Sequence, residues 1–477
     1  MLYTANYLRN RIREYTLEAI MDQCLPLIQD EMLTSKFPSW SLFTLMRWAY
    51  EFAGSKSKLK ELTSSRFKTL FNGITEVSDE HVGRFFKEDK TFKPFQILYS
   101  QQFYLQRNVY TSDILSQLKL YCTLTGKYDI EQAFKKKAGL TIQEFIRIVY
   151  VINLVFISES SIKHKYIFRN RLLPELLHLL CEYTSEKAVE SFFGLLTVNF
   201  SSKDKRSIST KTEIRNLEIQ PLGLSFFTRF PFLLYKGNCY LVNHGLIKYV
   251  LDYYIYDFLR DEDFTTEFGG RIEKYIELSL KDSNIVFKNE ASLRKILGKG
   301  SNVVDFYLEN ENIFIECKAT ELQPYAAVNP TDTILFKSLK ESLLKAYFKQ
   351  LQTAARNLSP NTEAWGVILA YKELFWSDFR DLYQVGITQY GDIVGYNPLP
   401  PENVFIVDLY TWNRVLYILK YSNVPLQTIL KKAKENNSHI STEKLLFSMH
   451  LESFSIQSYD TEVELTFLKD EQDIINF

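Results

Sequence analysis

Asp305, Glu316 and Lys318 sit in two neighbouring apolar runs, Ser301-Asn302-Val303-Val304-Asp305-Phe306-Tyr307-Leu308 and Ile313-Phe314-Ile315-Glu316-Cys317-Lys318. Charges in such stretches are costly unless they are paired or bind a metal. Carboxylates are hard oxygen ligands suited to Mg²⁺, which keeps several waters and binds through one or two carboxylates plus phosphate. The backbone carbonyl of Cys317 could supply a further oxygen. A lysine beside such an ion could position or deprotonate an attacking water, or neutralise charge in the transition state. These parts together suit in-line hydrolysis of a phosphodiester.

The spacing dictates how the three would be held. The two runs, joined by the polar Glu309-Asn310-Glu311-Asn312, read as the strands of a hairpin. Residues i and i+2 share one face of a strand, so Glu316 and Lys318 point the same way, and the hairpin brings Asp305 opposite them. Upstream, Phe268-Gly269-Gly270 leads into a helix expected over Arg271 to Leu280, and Ile285 to Asn289 reads as a short strand. Downstream, Thr333 to Leu358 reads as a long amphipathic helix, followed by strands Trp365 to Tyr371 and Asn403 to Asp408. Strands around one long helix, with another helix leading in, predict an α/β core. On the long helix Gln350 shares a face with Leu343, Tyr347 and Ala354 and so turns inward. Lys345, Lys349 and Arg356 fall on an adjacent stripe that could track a phosphate backbone, although most such stripes are simply solvated.

Val304-Asp305 followed by Glu316-Cys317-Lys318 across a hairpin resembles the PD-(D/E)xK, or restriction-endonuclease-like, nuclease superfamily, with Val304 in place of the nominal proline. The resemblance covers roughly residues 265–410. It implies a core of a helix, a mixed sheet of four strands and a second helix, holding Mg²⁺ (or Mn²⁺) on Asp305, Glu316 and the Cys317 carbonyl. It further implies an additional acid on the leading helix, best matched by Glu273 with Glu267 and Glu277 a turn to either side, and a water- or phosphate-orienting glutamine at Gln350. The implied activity is a metal-dependent nuclease, on DNA ahead of RNA, in bacterial antiviral defence or DNA processing. Work on duplex DNA in this family often involves a homodimer or a motor subunit. No ATPase motif is present, so any ATP-driven step would need an ATPase or helicase partner. The competing expectation is a catalytically silent subunit that kept the nuclease fold and binds nucleic acid or a partner protein.

The remainder of the 477 residues sets the frame. Length and a hydrophobic content of 46% predict a folded protein of more than one domain. The 57 basic and 57 acidic residues cancel, which argues against indiscriminate polyanion binding and leaves room for a local basic groove. The five cysteines, Cys24, Cys122, Cys181, Cys239 and Cys317, are scattered, so reduced and buried thiols in a cytoplasmic protein are expected. No signal-peptide pattern or membrane-length apolar run is read, and no membrane partner is expected. The six histidines are likewise dispersed, with His178 in a leucine run expected in the core and no His-based nucleophile system supported.

Residues 1–205 read as a helical N-terminal domain for recognition or partner binding. Segments Ile114 to Leu124, Ile142 to Phe156 and Leu172 to Leu180 carry helical periodicity, Thr141 with Glu144 forms a capping-box pattern, and Pro26, Pro38 and Pro94 are placed at helix boundaries. Residues 206–264 follow a polar linker as a β-hairpin and an aromatic-rich helix. Residues 265–477 read as the nuclease-like domain with a C-terminal extension ending in a strand-like Val463 to Phe467. The fold class is thus multidomain α and α/β, with a helical N-terminal domain before a restriction-endonuclease-like core whose mixed sheet is flanked by helices. Basic patches stand at Lys299 in Gly298-Lys299-Gly300, at the linker, and at His164-Lys165 with Arg169 and Arg171; Glu88-Asp89-Lys90, a second Glu-x-Lys, reads as a solvated turn.

Overall fold

The computed structural model describes residues 3–29, 37–54, 59–88, 93–102, 110–200, 214–298, 300–439, 441–454 and 465–475. Lys299, the linker basic patch, Asp89-Lys90 and the start of the terminal strand-like segment lie outside them. The chain is mostly helical, with two mixed five-stranded sheets, which agrees with a multidomain α and α/β layout. Among the described residues no single helix is long and apolar enough to cross a membrane.

The first sheet runs in the order Ile167–Phe168, Arg171–Leu172, Asn238–Leu241, Phe232–Tyr235, Thr197–Asn199. Three of these strands fall in the stretch expected to be helical; they have two or three residues each, Arg171–Leu172 and Thr197–Asn199 pairing with the hairpin after residue 230 and Ile167–Phe168 with Arg171–Leu172. One core joins helices of residues 5–77 to this sheet's Val198, Leu233 and Tyr235. The Thr141 cap forms as expected, with Thr141 Oγ1 accepting from Glu144 N at 3.1 Å and the Glu144 carboxylate accepting from Thr141 N at 2.8 Å. Pro26, placed at a boundary by sequence, instead lies inside the helix Leu17–Gln29. Buried Met21, Cys24, Leu25 and Ile28 hold that helix through the break, so tertiary packing overrides the missing N–H. His178 is exposed, because only Leu176 and Leu180 of its helix turn inward. Cys181 on the same helix is exposed and Cys122 and Cys239 half-buried, so only Cys24 and Cys317 are the buried thiols expected.

The second sheet carries Glu316 and Lys318. Its order is Val404–Asp408, Trp365–Ala370, Ile313–Lys318, Phe306–Leu308, Lys288–Asn289, with the first three strands parallel and the last two antiparallel. The Ile313–Lys318 strand is therefore central and covered on both faces, which explains its near-continuous apolar run. Ile313, Ile315 and Cys317 pack with Phe268, Ile272 and Ile276. Phe314 packs on the opposite side with Leu343, Tyr347 and Ile368. That alternation confirms the two-residue period read from sequence, and it puts Glu316 and Lys318 on the Phe314 face. Thr466–Leu468, expected as strand, is instead a turn of 3₁₀ helix.

The leading helix is longer than expected, Glu262–Asp282, with Gly269 and Gly270 in its interior. Asp261 caps it by accepting from Phe264 N at 2.9 Å, and Glu262 and Asp263 suit the positive N-terminus. Arg271, 6% exposed, anchors it to the preceding domain. Its guanidinium donates to the carbonyls of Leu120 (2.9 Å), Tyr121 (3.0 Å) and Tyr128 (3.3 Å) and pairs with Glu267 at 3.0 Å. A closed triangle of Ser116, Tyr275 and Asn413 side chains, with contacts of 2.7–2.8 Å, adds a second tie. Arg271→Ala removes the only charge partner that Glu267, half-buried, has among the described residues and strands three carbonyls, so denaturant unfolding should show a loss of about 3–5 kcal/mol. A loss under about 1 kcal/mol would place the anchor elsewhere.

Candidate functional site

The site forms where the central strand emerges from the sheet. Phe306 is in register with Ile315 in the antiparallel pair, so one step further Asp305 lies across from Glu316. Asp305 Oδ2 accepts from the Cys317 N–H at 2.7 Å, and its other carboxylate oxygen accepts nothing from the described residues. Backbone groups of one strand residue point to the same side, so the Cys317 carbonyl also faces Asp305, beyond the last paired position. Glu316 is 1% exposed. Its Oε1 accepts from Lys318 Nζ and from Gln350 Nε2, each at 2.5 Å, while its Oε2 is buried with no hydrogen-bond partner. The Gln350 Oε1 is also buried and unpartnered.

Two helices complete the arrangement. The predicted long helix forms over residues 332–358, but Lys340–Leu344 and Ala346–Leu351 are π-helical turns. Such turns are rare and frequent at functional sites. The second carries Gln350, and Tyr347 from the same turn anchors it by donating to Leu399 O at 3.1 Å. Glu273 is on the leading helix. Its side chain is largely exposed, yet the protein around it, then Asp305 and Glu290, push its carboxyl up to about 7.

The electrostatics follow from crowding. Burial, then the Asp305 charge, push Glu316 up to about 8 against the pull of Lys318 and Gln350. Asp305 is raised too, by burial and Glu290, against the Cys317 N–H and Lys318. Burial alone would lower Lys318, but Glu316 and Asp305 outweigh it and hold the ammonium charged. The Glu316 and Lys318 shifts pull against each other, since a charged lysine is best held by an ionised glutamate. The upward direction for Glu316 stands because Asp305 adds a second negative charge that one lysine cannot offset. Three carboxyls pushed upward around one ammonium describe a pocket with surplus negative charge.

The donors present fit a hard divalent ion. The free Asp305 oxygen, the orphaned Glu316 Oε2 and the Cys317 carbonyl are oxygens of the type Mg²⁺ or Mn²⁺ takes, and Mg²⁺ needs only one or two carboxylates from protein. Among the described residues no three or more His, Cys, Asp or Glu side chains close into a ready-made cage, so the donor set is an open one.

Other sequence candidates fall elsewhere. Glu267 accepts from the backbone N–H groups of Lys127 and Tyr128 and from Arg271, a structural role. Glu277 is held by Lys274 and Lys281. Lys345, Lys349 and Arg356 are exposed on the long helix; Lys345 faces Glu341 at 3.8 Å and Lys349 sits 5.3 Å from the Tyr390 ring. Sequence reasoning missed Glu290, which opens the helix Glu290–Leu297, pairs with Arg294 and presses on both Glu273 and Asp305. The Asn289 cap with Ser292 three residues on was its available signal. It also missed Lys372, which follows the neighbouring strand and bridges Asp257 (2.5 Å) and Glu321 (2.9 Å), steadying the segment after Lys318. A Ser377–His450 contact of 2.9 Å is not a nucleophile pair: both are buried, and burial pushes the imidazole down to about 4.

A carboxyl whose folded pKa exceeds its unfolded value stabilises the fold fully below the unfolded value and loses that as pH rises through the folded one. For Glu316 the window runs from 4.5 to about 8. Without divalent ion, the thermal midpoint of the wild type should therefore fall across that window relative to Glu316→Gln. Mg²⁺ should restore more stability at the top of the window than at its middle, because the ion competes with protons for the same oxygens. Parallel pH profiles for the two proteins would contradict this electrostatic picture. Comparison of the chain with family models, with curated proteins and with solved structures finds no match.

Proposed function

We propose that the protein is a divalent-metal-dependent nuclease with a restriction-endonuclease-like core, acting on DNA ahead of RNA. The observation that carries this reading is the convergence of Asp305, Glu316 and Lys318 at the end of the central strand, where Asp305 accepts from the Cys317 N–H and Glu316 accepts from Lys318 and Gln350. The element order supports it as well. A leading helix, a hairpin, a long helix and two further parallel strands succeed one another as that resemblance implies.

In this reading Asp305, Glu316 and the Cys317 carbonyl hold the ion, with Glu273 extending the acidic shell. The ion supplies Lewis-acid activation of the scissile phosphate and of the nucleophile. Lys318 stays cationic because Glu316 and Asp305 hold it so; it stabilises charge developing on the phosphoryl oxygens and orients the attacking water. Gln350 fixes the Glu316 carboxylate through its 2.5 Å contact and keeps its own carbonyl oxygen free to accept from a water. Glu273, raised to about 7, can carry a proton near neutral pH and deliver it to a leaving oxygen.

The competing reading, a catalytically silent subunit of the same fold, draws on one observation: an oxygen of Glu316 is already engaged by Lys318 and Gln350. Incubation with linear, circular and single-stranded DNA and with RNA, in Mg²⁺ or Mn²⁺, separates the two. Lys318→Ala should lower the cleavage rate by about 100-fold or more, Asp305→Asn should do the same, and Gln350→Ala should lower it by about 10-fold. Cleavage that persists unchanged in Asp305→Asn and Lys318→Ala would sink the site assignment. No cleavage of any substrate, together with no effect of Mg²⁺ on the thermal midpoint, would favour the silent subunit.

A further inference from the structure

Away from the carboxylate site, the sequence Lys163-His164-Lys165-Tyr166-Ile167-Phe168-Arg169-Asn170-Arg171 contains no acid. The structure folds it into the end of a helix, Ser160–Tyr166, and a tight hairpin pairing Ile167–Phe168 with Arg171–Leu172 at the edge of the first sheet. Arg169 and Asn170 form the turn with φ of +47° and +59°, the two-residue geometry that matches strand twist. Asn tolerates that conformation, whereas for Arg169 it is strained. Ile167 faces the core and Phe168 faces out, 49% exposed.

The cations here sit beside rings and not beside acids. The guanidinium groups of Arg169 and Arg171 lie 5.5 and 5.9 Å from the Phe168 ring, Lys165 lies 5.3 Å from the Tyr166 ring, and Lys163 lies 5.6 Å from the Phe156 ring. None of these four cations forms an ion pair among the described residues, although many other lysines and arginines of the chain do. The acids nearest in sequence, Glu159 and Glu175, flank the stretch and pair with none of them. Exposed Ile157 and Ile162 adjoin it. Cations without acidic partners among the described residues, grouped around one exposed ring, Phe168, complement a chain of phosphates carrying stackable bases: the charge neutralises the backbone and the Phe168 face accepts a base of any sequence.

We propose that this helix end and hairpin form a docking surface for the phosphate backbone and bases of single-stranded nucleic acid, with Phe168 as stacking platform and Arg169, Arg171, Lys163 and Lys165 as phosphate contacts. The assignment rests on the nuclease reading for its substrate class, and its test is independent of cleavage. Full-length protein is titrated, in EDTA, against labelled single-stranded and duplex DNA over a salt series, with folding of each variant checked by circular dichroism. Arg169→Ala with Arg171→Ala should weaken single-strand binding about tenfold and flatten the slope of log K against log salt by about 1.4, that is, about 0.7 for each lost phosphate contact. Phe168→Ala should weaken single-strand binding about tenfold and duplex binding less. Lys163→Ala with Lys165→Ala, on the helix, provides a second charge test that leaves the hairpin intact. Wild-type affinity and slope in all three variants would overturn the proposal. So would wild-type protein that ignores both DNAs yet binds polyglutamate through the same arginines, since the surface would then belong to an acidic protein partner. Hairpin-dependent binding with no cleavage of any substrate would leave this surface standing and remove the nuclease reading; cleavage by variants that bind as wild type would do the reverse.

Discussion

The structure of the C-terminal half depends on burying one carboxylate. Glu316 is 1% exposed in the middle strand of a five-stranded sheet, a position that elsewhere in the same strand is given to Ile313, Phe314 and Ile315. A lone ionised carboxylate there would cost several kcal/mol. Everything that approaches it reduces that cost. Lys318 reaches it because both share one face of the strand; Gln350 reaches it because the long helix lies on that face. The register of the hairpin, which brings Asp305 across from it, works in the opposite direction by adding like charge. A fold selected for stability alone would place an apolar residue at position 316. An acid at that position, with a second acid across from it, costs stability, and it is this cost that motivates the proposal of a site there.

What the sequence made legible follows from which features are local. The two-residue alternation of Ile313 to Lys318, the polar turn before it and the Thr141–Glu144 cap are written in neighbouring residues, and each forms as read. The inward face of Gln350 was legible as well, through its spacing from Leu343, Tyr347 and Ala354, all fully buried. The π-helical turns that carry it were not, because an extra residue per turn leaves no composition mark. The start of the leading helix was misread for a related reason. Gly269-Gly270 looks like a breaker, each glycine costing about 1 kcal/mol in a helix interior, but the Asp261 cap and buried Phe264 and Phe268 carry the helix through. The strands Ile167–Phe168, Arg171–Leu172 and Thr197–Asn199 are too short to show a period, and only pairing defines them, the first with the second and the other two with residues 232–241. Glu290 and Lys372 reach the site region by topology, from elements whose own sequences look ordinary.

The leading helix shows how the two halves of the chain are coupled. One side of it packs against the central strand through Ile272 and Ile276. Its other contacts, Arg271 to the carbonyls of residues 120, 121 and 128 and Tyr275 to Ser116, reach back to residues 116–128. Glu273 stands between Arg271 and Tyr275 on this helix. The position of the third carboxylate relative to Asp305 is therefore set by a buried interface with residues 111–128, and a single core spans residues 114–468 without a break between the helical part and the sheet. A change in how residues 111–128 are held would move Glu273 before it moved Glu316, which is fixed by strand pairing, or Asp305, which is tied to that strand through the Cys317 N–H.

Charge distribution decides how such a protein would meet a polyanion. With 57 basic and 57 acidic residues the whole chain exerts no net attraction, and the carboxylate pocket itself repels phosphate until a cation enters. Capture must then come from a local group of cations not already committed to acids. The stripe on the long helix is a weak candidate, since Lys345 faces Glu341 and Lys349 leans on Tyr390. The Lys163–Arg171 stretch has what that stripe lacks: four cations without acidic partners among the described residues, rings beside each of them, and an edge position in a different sheet from the one that holds Glu316. In the proposed reading, separating capture from chemistry would let the carboxylate end of the sheet stay acidic enough to hold a divalent ion. The strand end and the hairpin would then divide the work, because an acidic group of residues cannot attract phosphate unaided and a basic one cannot hold a cation.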